Sequence, residues 1–251
     1  MREDTDIGGP RRGFPATVYS MVERVASSDA DVRQQAYGEL VTAYWKPAYV
    51  RFRLRWGVNG EDAKDLTQEF FARAMERGFF ADFDPTRARF RTFFRTCLDR
   101  FAQNASREAQ RQKRGGAAQL LPLDFAGAER DYLAAGQVAT ADVDQRFQDE
   151  WVRGLFSHAA EALRASTLGG SYEVRFRLFE RYDLAPGTRG DRLSYQLLAT
   201  EFGLPLTQVT NHLAWARKEF RRLLLDRLRA LTANDAEFRA EAAELLGVRL
   251  P

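Results

Sequence analysis

The sequence has almost none of the residues that build a covalent or metal-stabilised scaffold. Among 251 residues there is one cysteine, Cys97, and there are two histidines, His158 and His212. A single thiol excludes an internal disulfide and a multi-cysteine metal cluster, so we predict no metal and no other cofactor. No apolar run approaches the roughly 18 residues that a membrane-spanning helix needs, and residues 1–15 lack the apolar stretch of a signal peptide. We therefore expect a cytoplasmic protein without membrane insertion.

The net charge is small, but the charges are unevenly distributed along the chain. Lysine and arginine total 38 and aspartate and glutamate 35, which gives a net charge of +3. Residues 77–115 carry 10 basic and 4 acidic groups, residues 116–150 carry 2 and 7, and residues 215–231 carry 6 and 2. A local basic patch attracts a polyanion even in a nearly neutral chain. Two basic segments are therefore separated by an acidic one.

The spacing of apolar residues predicts helices almost throughout, and no segment alternates as a half-buried strand does. Apolar residues recur every three or four positions around Leu40 and again around Phe70. Residues 115–143 lack such a period and mix glycine, alanine and acidic groups, which is typical of a linker. We predict an all-α protein that consists of a flexible N-terminal tail (1–15), a helical domain (16–114), a flexible acidic linker (115–143), a second small helical domain (144–231) and a short helical C-terminal extension (232–251).

The most specific local pattern lies in the second domain. Ser194 can cap a short helix that Gly203 ends, and Thr207 can cap a second helix. A small residue, Ala199, followed by glycine four positions later and by Val209 six positions after that, matches the helix-turn-helix spacing. The alternative is an ordinary helical hairpin. Polar and basic residues of the second helix that could contact phosphates and base edges are Thr207, Thr210, Asn211, His212, Arg217, Lys218, Arg221 and Arg222.

Two aromatic features of the sequence allow more than one interpretation. Trp215 either stacks on a sugar or base or packs within the domain, and His212 could equally be a surface histidine. Seven phenylalanines lie between residues 79 and 101. Four of them follow helical spacing and are expected in the core: Phe90, Phe93, Phe94 and Phe101.

The other three phenylalanines, Phe79, Phe80 and Phe83, lie where Pro85 argues against a continuous helix. Arginines accompany them at positions 87, 89, 91 and 95. Exposed aromatic rings with arginines can hold unstacked bases and their phosphates, so the residues Phe79, Phe80, Phe83, Arg87, Arg89, Arg91 and Arg95 are candidates for binding single-stranded DNA. The alternative is a core loop beside a solvated basic face.

Four sequence segments resemble a known family. The segments RQQAYGELVTAYWKPAYVRFRLRWG, GEDAKDLTQEFFARAMERG and FDPTRARFRTFFRTCLDRF resemble the second conserved region of ECF-type bacterial sigma factors. The segment GLPLTQVTNHLAWAR is similar to their fourth region. The resemblance covers about residues 30–114 and 144–229, in the order and at the distance of that family.

The resemblance implies a protein that docks on core RNA polymerase and directs it to promoter DNA. Polymerase contacts would come from Asp62, Asp65, Gln68 and Glu69 on one helix. The segment from Phe79 to Arg95 would capture a flipped base of the −10 element and hold the melted strand, and the helix from Thr207 to Arg222, with Trp215, would read the −35 element in duplex DNA. The acidic linker would occupy the nucleic-acid channel of the polymerase. An anti-sigma factor or other regulator is a further candidate partner.

Several positions depart from the family pattern, and these departures leave the promoter sequence open. Phe93 stands where tryptophan is common, and an asparagine common near Asp99 is absent. Thr210, His212 and Trp215 stand where lysine or arginine is usual. The apolar spacing of Phe238, Ala242, Leu245 and Leu246 predicts an amphipathic helix whose neighbour could be this protein, the polymerase or a regulator.

Two other classes of function compete with a sigma factor. The first is a helix-turn-helix regulator that never joins RNA polymerase. The second is an enzyme of nucleic-acid processing, but the sequence has no phosphate-binding loop and no credible Ser/His/Asp or Cys/His set. Cys97 belongs to a phenylalanine-rich helix face, which is typical of a core position rather than a nucleophile. We therefore predict that the protein is not an enzyme.

Overall fold

The computed structural model describes residues 21–109, 122–134, 142–170, 172–185 and 194–248, with side chains up to residue 106 in the first range. Every regular element in these ranges is a helix, which confirms the all-α prediction. The predicted tail (1–15), parts of the predicted linker (115–121 and 135–141) and the last residues of the extension (249–251) lie outside the described residues.

The first half of the chain forms four helices around an aromatic core. They are α1 (Met21–Val25), α2 (Ala30–Arg55), α3 (Gly60–Arg77) and α4 (Phe90–Ala109). The side chain of Asp29 caps α2 by accepting from the backbone N–H groups of Asp31 and Val32, and Asn59 caps α3 by accepting from Asp62. Gly78 ends α3 at φ 62°, in the left-handed region that glycine adopts at little cost.

The segment predicted as a linker contains a helix. Helix α5 (Phe125–Ala134) packs on α2, where the ring of Phe125 lies 5.4 Å from that of Trp45. Glu129 accepts hydrogen bonds from Arg53 and Tyr49, and Lys46 forms an ion pair with Asp131 at 2.5 Å. The apolar residues of α5 are too few to recur at helical spacing over several turns, so the sequence pattern does not predict this helix. The partners that hold it are about 80 positions away in sequence, so its helical state depends on contacts with α2.

Two long helices belong to both cores of the molecule. Helix α6 (Val143–Thr167) buries Phe147 and Trp151 against α2 and α4 in the first core, and Leu163 in a second core. The second core also contains α7 (Glu173–Phe179), which continues as a π-helical turn to Leu184, and α8 (Tyr195–Phe202). Helix α9 (Leu206–Ala230) buries Val209, Leu213 and Ala216 in the second core, and Leu224 and Leu228 in the first. Because α6 and α9 contribute residues to both cores, the two cores are not separated at residue 144, where the sequence predicts a domain boundary.

In the segment predicted as a helix-turn-helix, the structure has two successive helices, α8 and α9. Ser194 caps α8 by accepting from the backbone N–H of Leu197, and Gly203 ends α8 at φ 64°. Helix α9 begins at Leu206, directly after Pro205, and no side chain caps it. The predicted cap by Thr207 is therefore wrong, since proline fixes the chain direction one residue before the helix and leaves Thr207 inside its first turn.

The C-terminal extension forms helix α10 (Asp235–Leu246), which Asn234 caps. Phe238 and Ala242 are buried in the first core, and Leu245 and Leu246 pack at its edge. The neighbour of this amphipathic helix is therefore the first core of the same chain.

Candidate polymerase and nucleic-acid surfaces

An acidic groove runs along α3. A cavity of about 430 Å³ lies between the start of α3, the end of α2 and α4. Its apolar surface comes from Trp56, Leu66 and Ala102, and its acidic residues are Asp62, Asp65 and Glu69. The spacing of three and four residues places these carboxylates on one exposed face of the helix. The groove therefore offers apolar contact area beside negative charge.

The carboxylates of this groove differ in how far they are already paired. Asp62 accepts from the amide of Asn59 at 2.8 Å, and Glu69 pairs with Arg73 at 2.5 Å. Asp65 is exposed at the middle of the row. The structure excludes Gln68 from this surface, because its side chain is only 4% exposed. Gln68 lies beside the buried Thr67 and three positions before the buried Phe71, on the side of α3 that packs in the core.

The three phenylalanines between α3 and α4 pack against the first core. Phe80 is 2% exposed, and its ring stacks on that of Phe94 with centroids 5.7 Å apart. Phe79 lies beside Phe70, and Phe83 lies 5.2 Å from the rings of both Phe90 and Phe93. The prediction that Phe80 binds single-stranded DNA is therefore wrong for this structure, because a ring enclosed by other rings cannot receive a base.

The four arginines beside this loop line a second cavity of about 320 Å³, together with Phe147 and Glu244. Arg87 is exposed, and its nearest carboxylate is that of Asp84 at 3.6 Å. Arg95 pairs with Asp144 at 3.3 Å. Arg91 is 9% exposed and is therefore not available to DNA in this structure. It pairs with Glu241 of α10 at 2.9 Å, and Arg89 pairs with Glu244 of the same helix.

The predicted base-reading residues of α9 occupy two different environments. Those exposed to solvent are Thr207, Thr210, Asn211, Lys218, Arg221 and Arg222. Trp215 is half-buried and stacks on Tyr172 with a ring-centroid distance of 6.1 Å, and the guanidinium of Arg175 lies over both rings. Burial and the nearby charge of Arg175 lower the pKa of His212, so the imidazole is neutral at pH 7 and can donate or accept one hydrogen bond.

Two of the arginines on α9 are already held by carboxylates. Arg217 forms two hydrogen bonds to Asp183, at 2.9 and 3.0 Å, and a third to the hydroxyl of Tyr195. Arg222 pairs with Glu219 and Asp226 on its own helix. A bidentate arginine–carboxylate pair fixes geometry as well as charge. Arg217 therefore joins α9 to the two preceding elements of the second domain.

We expect Arg217→Ala and Arg221→Ala to affect different properties. Arg217→Ala should lower the free energy of unfolding by about 1–3 kcal/mol, because it leaves the Asp183 carboxylate without its partner. Arg221→Ala should leave stability unchanged but weaken binding to duplex DNA and reduce the slope of log K against log salt by about 1. Urea unfolding and fluorescence anisotropy at several salt concentrations measure the two effects. If Arg217→Ala reduced the salt dependence of DNA binding without lowering the free energy of unfolding, Arg217 would contact DNA rather than stabilise the fold.

Several residues of these surfaces could not be found from the sequence. Arg175 and Tyr172 contact Trp215, and Glu241 and Glu244 pair with the arginines of the second cavity. The sequence alone shows that the α10 glutamates share one helix face. It does not show which residues they contact, because their partners lie about 150 positions away.

Cys97 is the one cysteine of the sequence, and its side chain is partly buried. Burial raises the pKa of the Cys97 thiol to about 11, so it is protonated at neutral pH and unreactive. Within the described ranges, no three histidine, cysteine or acidic side chains are grouped closely enough to hold a metal ion. In the same ranges, no helix combines the length and apolar character needed to cross a membrane.

Comparison with known proteins identifies part of the chain. Residues 41–112, from the middle of α2 through α4, match the family model of sigma-70 region 2. No curated protein and no solved structure matches the chain. The matched residues include the acidic groove, the phenylalanine loop and the four arginines. The match spans 72 of the 251 residues, so the similarity to sigma-70 region 2 applies to this part of the chain.

Proposed function

We propose that this protein is an alternative sigma factor of the ECF type, which binds core RNA polymerase, recognises promoter DNA and opens it. The observation that carries the proposal is the match of residues 41–112 to the sigma-70 region 2 model, and the proposal is supported by α8 and α9, two successive helices with exposed polar residues on the second. A regulator that only binds duplex DNA needs the second of these features but not the first. Such a subunit works in the cytoplasm, together with the polymerase.

The acidic groove on α3 is the proposed contact with core polymerase. Asp62, Asp65 and Glu69 supply negative charge, and Trp56 and Leu66 supply apolar area beside it. A partner helix with basic and apolar side chains would pair with the carboxylates and cover the apolar area. Its complementary charge would also speed association. Asp65 is the carboxylate of this row most available to a partner.

The arginine cavity is the proposed contact with the melted strand. Arg87 is exposed with the Asp84 carboxylate at 3.6 Å, and Arg95 is half-buried with the Asp144 carboxylate at 3.3 Å, so a phosphate would compete with these two ion pairs. Phosphate contacts position a strand without reading its sequence. Because Phe80 is enclosed in the core, the side chains in this loop that could stack on a base are the half-buried Phe79 and Phe83.

The start of α9 is the proposed reader of the −35 element. Thr207, Thr210 and Asn211 lie on its exposed first turns, and residues at the N-terminal end of a recognition helix contact base edges in the major groove. Lys218 and Arg221 lie two to three turns further on and are suited to phosphates. With Arg217 paired to Asp183, the phosphate contacts of α9 depend on these two residues.

The test of the proposed function is transcription by a reconstituted enzyme. The purified chain is mixed with core RNA polymerase, analysed by gel filtration at moderate salt, and supplied with fragmented DNA from its own genome. We expect co-elution and transcripts that start at a defined subset of sites only when the chain is present. Binding to duplex DNA without co-elution would instead identify a helix-turn-helix regulator that does not join the polymerase.

A further inference from the structure

The first turn of α4 and the arginines around it form a surface suited to anions. Helix α4 begins at Phe90 and has no acidic residue in its first turn. The positive end of the helix dipole lies here. Arg89 and Arg91 flank the start of the helix, and Arg87 and Arg95 line the adjoining cavity. This concentration of positive charge lies in the part of region 2 to which we assign the melted strand.

Carboxylates of α10 occupy this surface. Glu237 accepts a hydrogen bond from the backbone N–H of Phe90 at 2.7 Å. Glu241 pairs with Arg91 at 2.9 Å and lies 3.5 Å from Arg89. The three glutamates Glu237, Glu241 and Glu244 are four and three positions apart, so they form one row on a single face of the helix. These glutamates bind the same arginines and backbone N–H group that would bind the phosphates of a DNA strand.

The contact between α10 and the arginines around the start of α4 contributes little net stability. Helix α10 has 12 residues, a length that is marginal for an isolated helix, and its packing depends on Phe238 and Ala242. Glu241 is 1% exposed, and burial raises the pKa of its carboxyl group despite the arginines beside it. A buried ion pair must offset the cost of removing both charges from water, so its net contribution is small. A strand with several phosphates could therefore compete with α10.

We propose that α10 is an internal competitor for nucleic acid, which masks the strand-binding arginines of region 2 until DNA displaces it. In the masked state Arg89 and Arg91 are paired to Glu241 and Glu244 of α10, whereas Arg87 and Arg95 are paired to Asp84 and Asp144 instead. In the unmasked state, four arginines and the start of α4 face the strand. The inference rests on the proposed function, because that function assigns the masked surface to DNA.

The test compares two variants with the same change in net charge. Glu241→Gln/Glu244→Gln keeps the size of both side chains but removes the charges that hold Arg89 and Arg91. Glu76→Gln/Glu161→Gln removes two exposed carboxylates elsewhere and serves as the control. The probe is a fluorescent 12-residue oligothymidine, and anisotropy is measured at several salt concentrations. We expect the first variant to bind about tenfold more tightly than wild type and with a steeper salt slope, and the control to change less than twofold. Equal affinity of the two variants would overturn the proposal.

A measurement on the unmodified chain does not depend on how the variants fold. Hydrogen exchange of residues 235–246 is followed with and without saturating oligothymidine. Displacement of α10 predicts faster exchange in this helix when the oligonucleotide is bound, and unchanged exchange there would overturn the proposal. Neither assay contains polymerase. If the chain fails to join core polymerase while these results hold, the sigma function fails and the masking by α10 stands.

Discussion

Asp65→Arg is expected to weaken association with core RNA polymerase at least about 100-fold, which corresponds to about 3 kcal/mol. Asp65 is the exposed carboxylate at the centre of the acidic groove, between Asp62 and Glu69. Arginine there would place a positive charge against a basic partner, and like charges at an interface cost several kcal/mol. Binding is measured by titrating labelled protein with core enzyme at moderate salt.

Two further variants separate charge from folding. Asp65→Asn removes the charge without reversing it, and we expect a loss of affinity intermediate between wild type and Asp65→Arg. Glu161→Arg makes the same reversal at an exposed position of α6 and should bind normally. The midpoints of thermal unfolding of all three variants should agree with wild type, because Asp65 is solvent-exposed. Normal polymerase binding by Asp65→Arg would show that the groove is not the docking surface.

Phe80→Ala is expected to lower the free energy of unfolding by about 3–5 kcal/mol. The ring of Phe80 is enclosed by those of Tyr37, Phe70, Phe90 and Phe94 at centroid distances of 5.7–6.3 Å. Its removal loses buried apolar area and leaves a cavity that neighbouring rings fill only partly. Urea unfolding followed by circular dichroism measures the change.

Met75→Ala is the matched control, since Met75 is 52% exposed near the end of α3. It should change stability by less than about 0.5 kcal/mol. If Phe80→Ala instead kept full stability and lost only strand opening, the loop would present its rings to DNA and the packing described above would not be the functional state.

The helices themselves were largely predictable, because their apolar residues recur at helical spacing. Leu40 and Phe70 mark α2 and α3, and Phe147, Trp151 and Leu155 mark α6. The cap at Ser194 and the end of α8 at Gly203 follow from local chemistry and are confirmed. Helix α5 could not be predicted in this way, because its helical state depends on α2 rather than on its own pattern.

The surfaces were harder to predict, because exposure depends on partners that are distant in sequence. Gln68 and Asp65 are three positions apart and both polar, yet packing around Phe71 buries one and leaves the other at the surface. The arginines near residue 90 are a basic patch by sequence, but α10 neutralises two of them. An apolar stripe predicts that a helix packs, whereas the identity of its neighbour comes only from the tertiary structure.

The length of α9 has a consequence for promoter geometry. Its 25 residues extend over about 37 Å as one rod, with Leu224 and Leu228 anchored in the first core and Thr207 at the far end. A rotation of about 10° about Leu224 and Leu228, which lie roughly 28 Å from Thr207, moves Thr207 by about 5 Å, or about one and a half base-pair steps of duplex DNA. Under the proposed sigma function, repacking around Leu224 and Leu228 would therefore alter the spacer length that is accepted between the −10 and −35 elements.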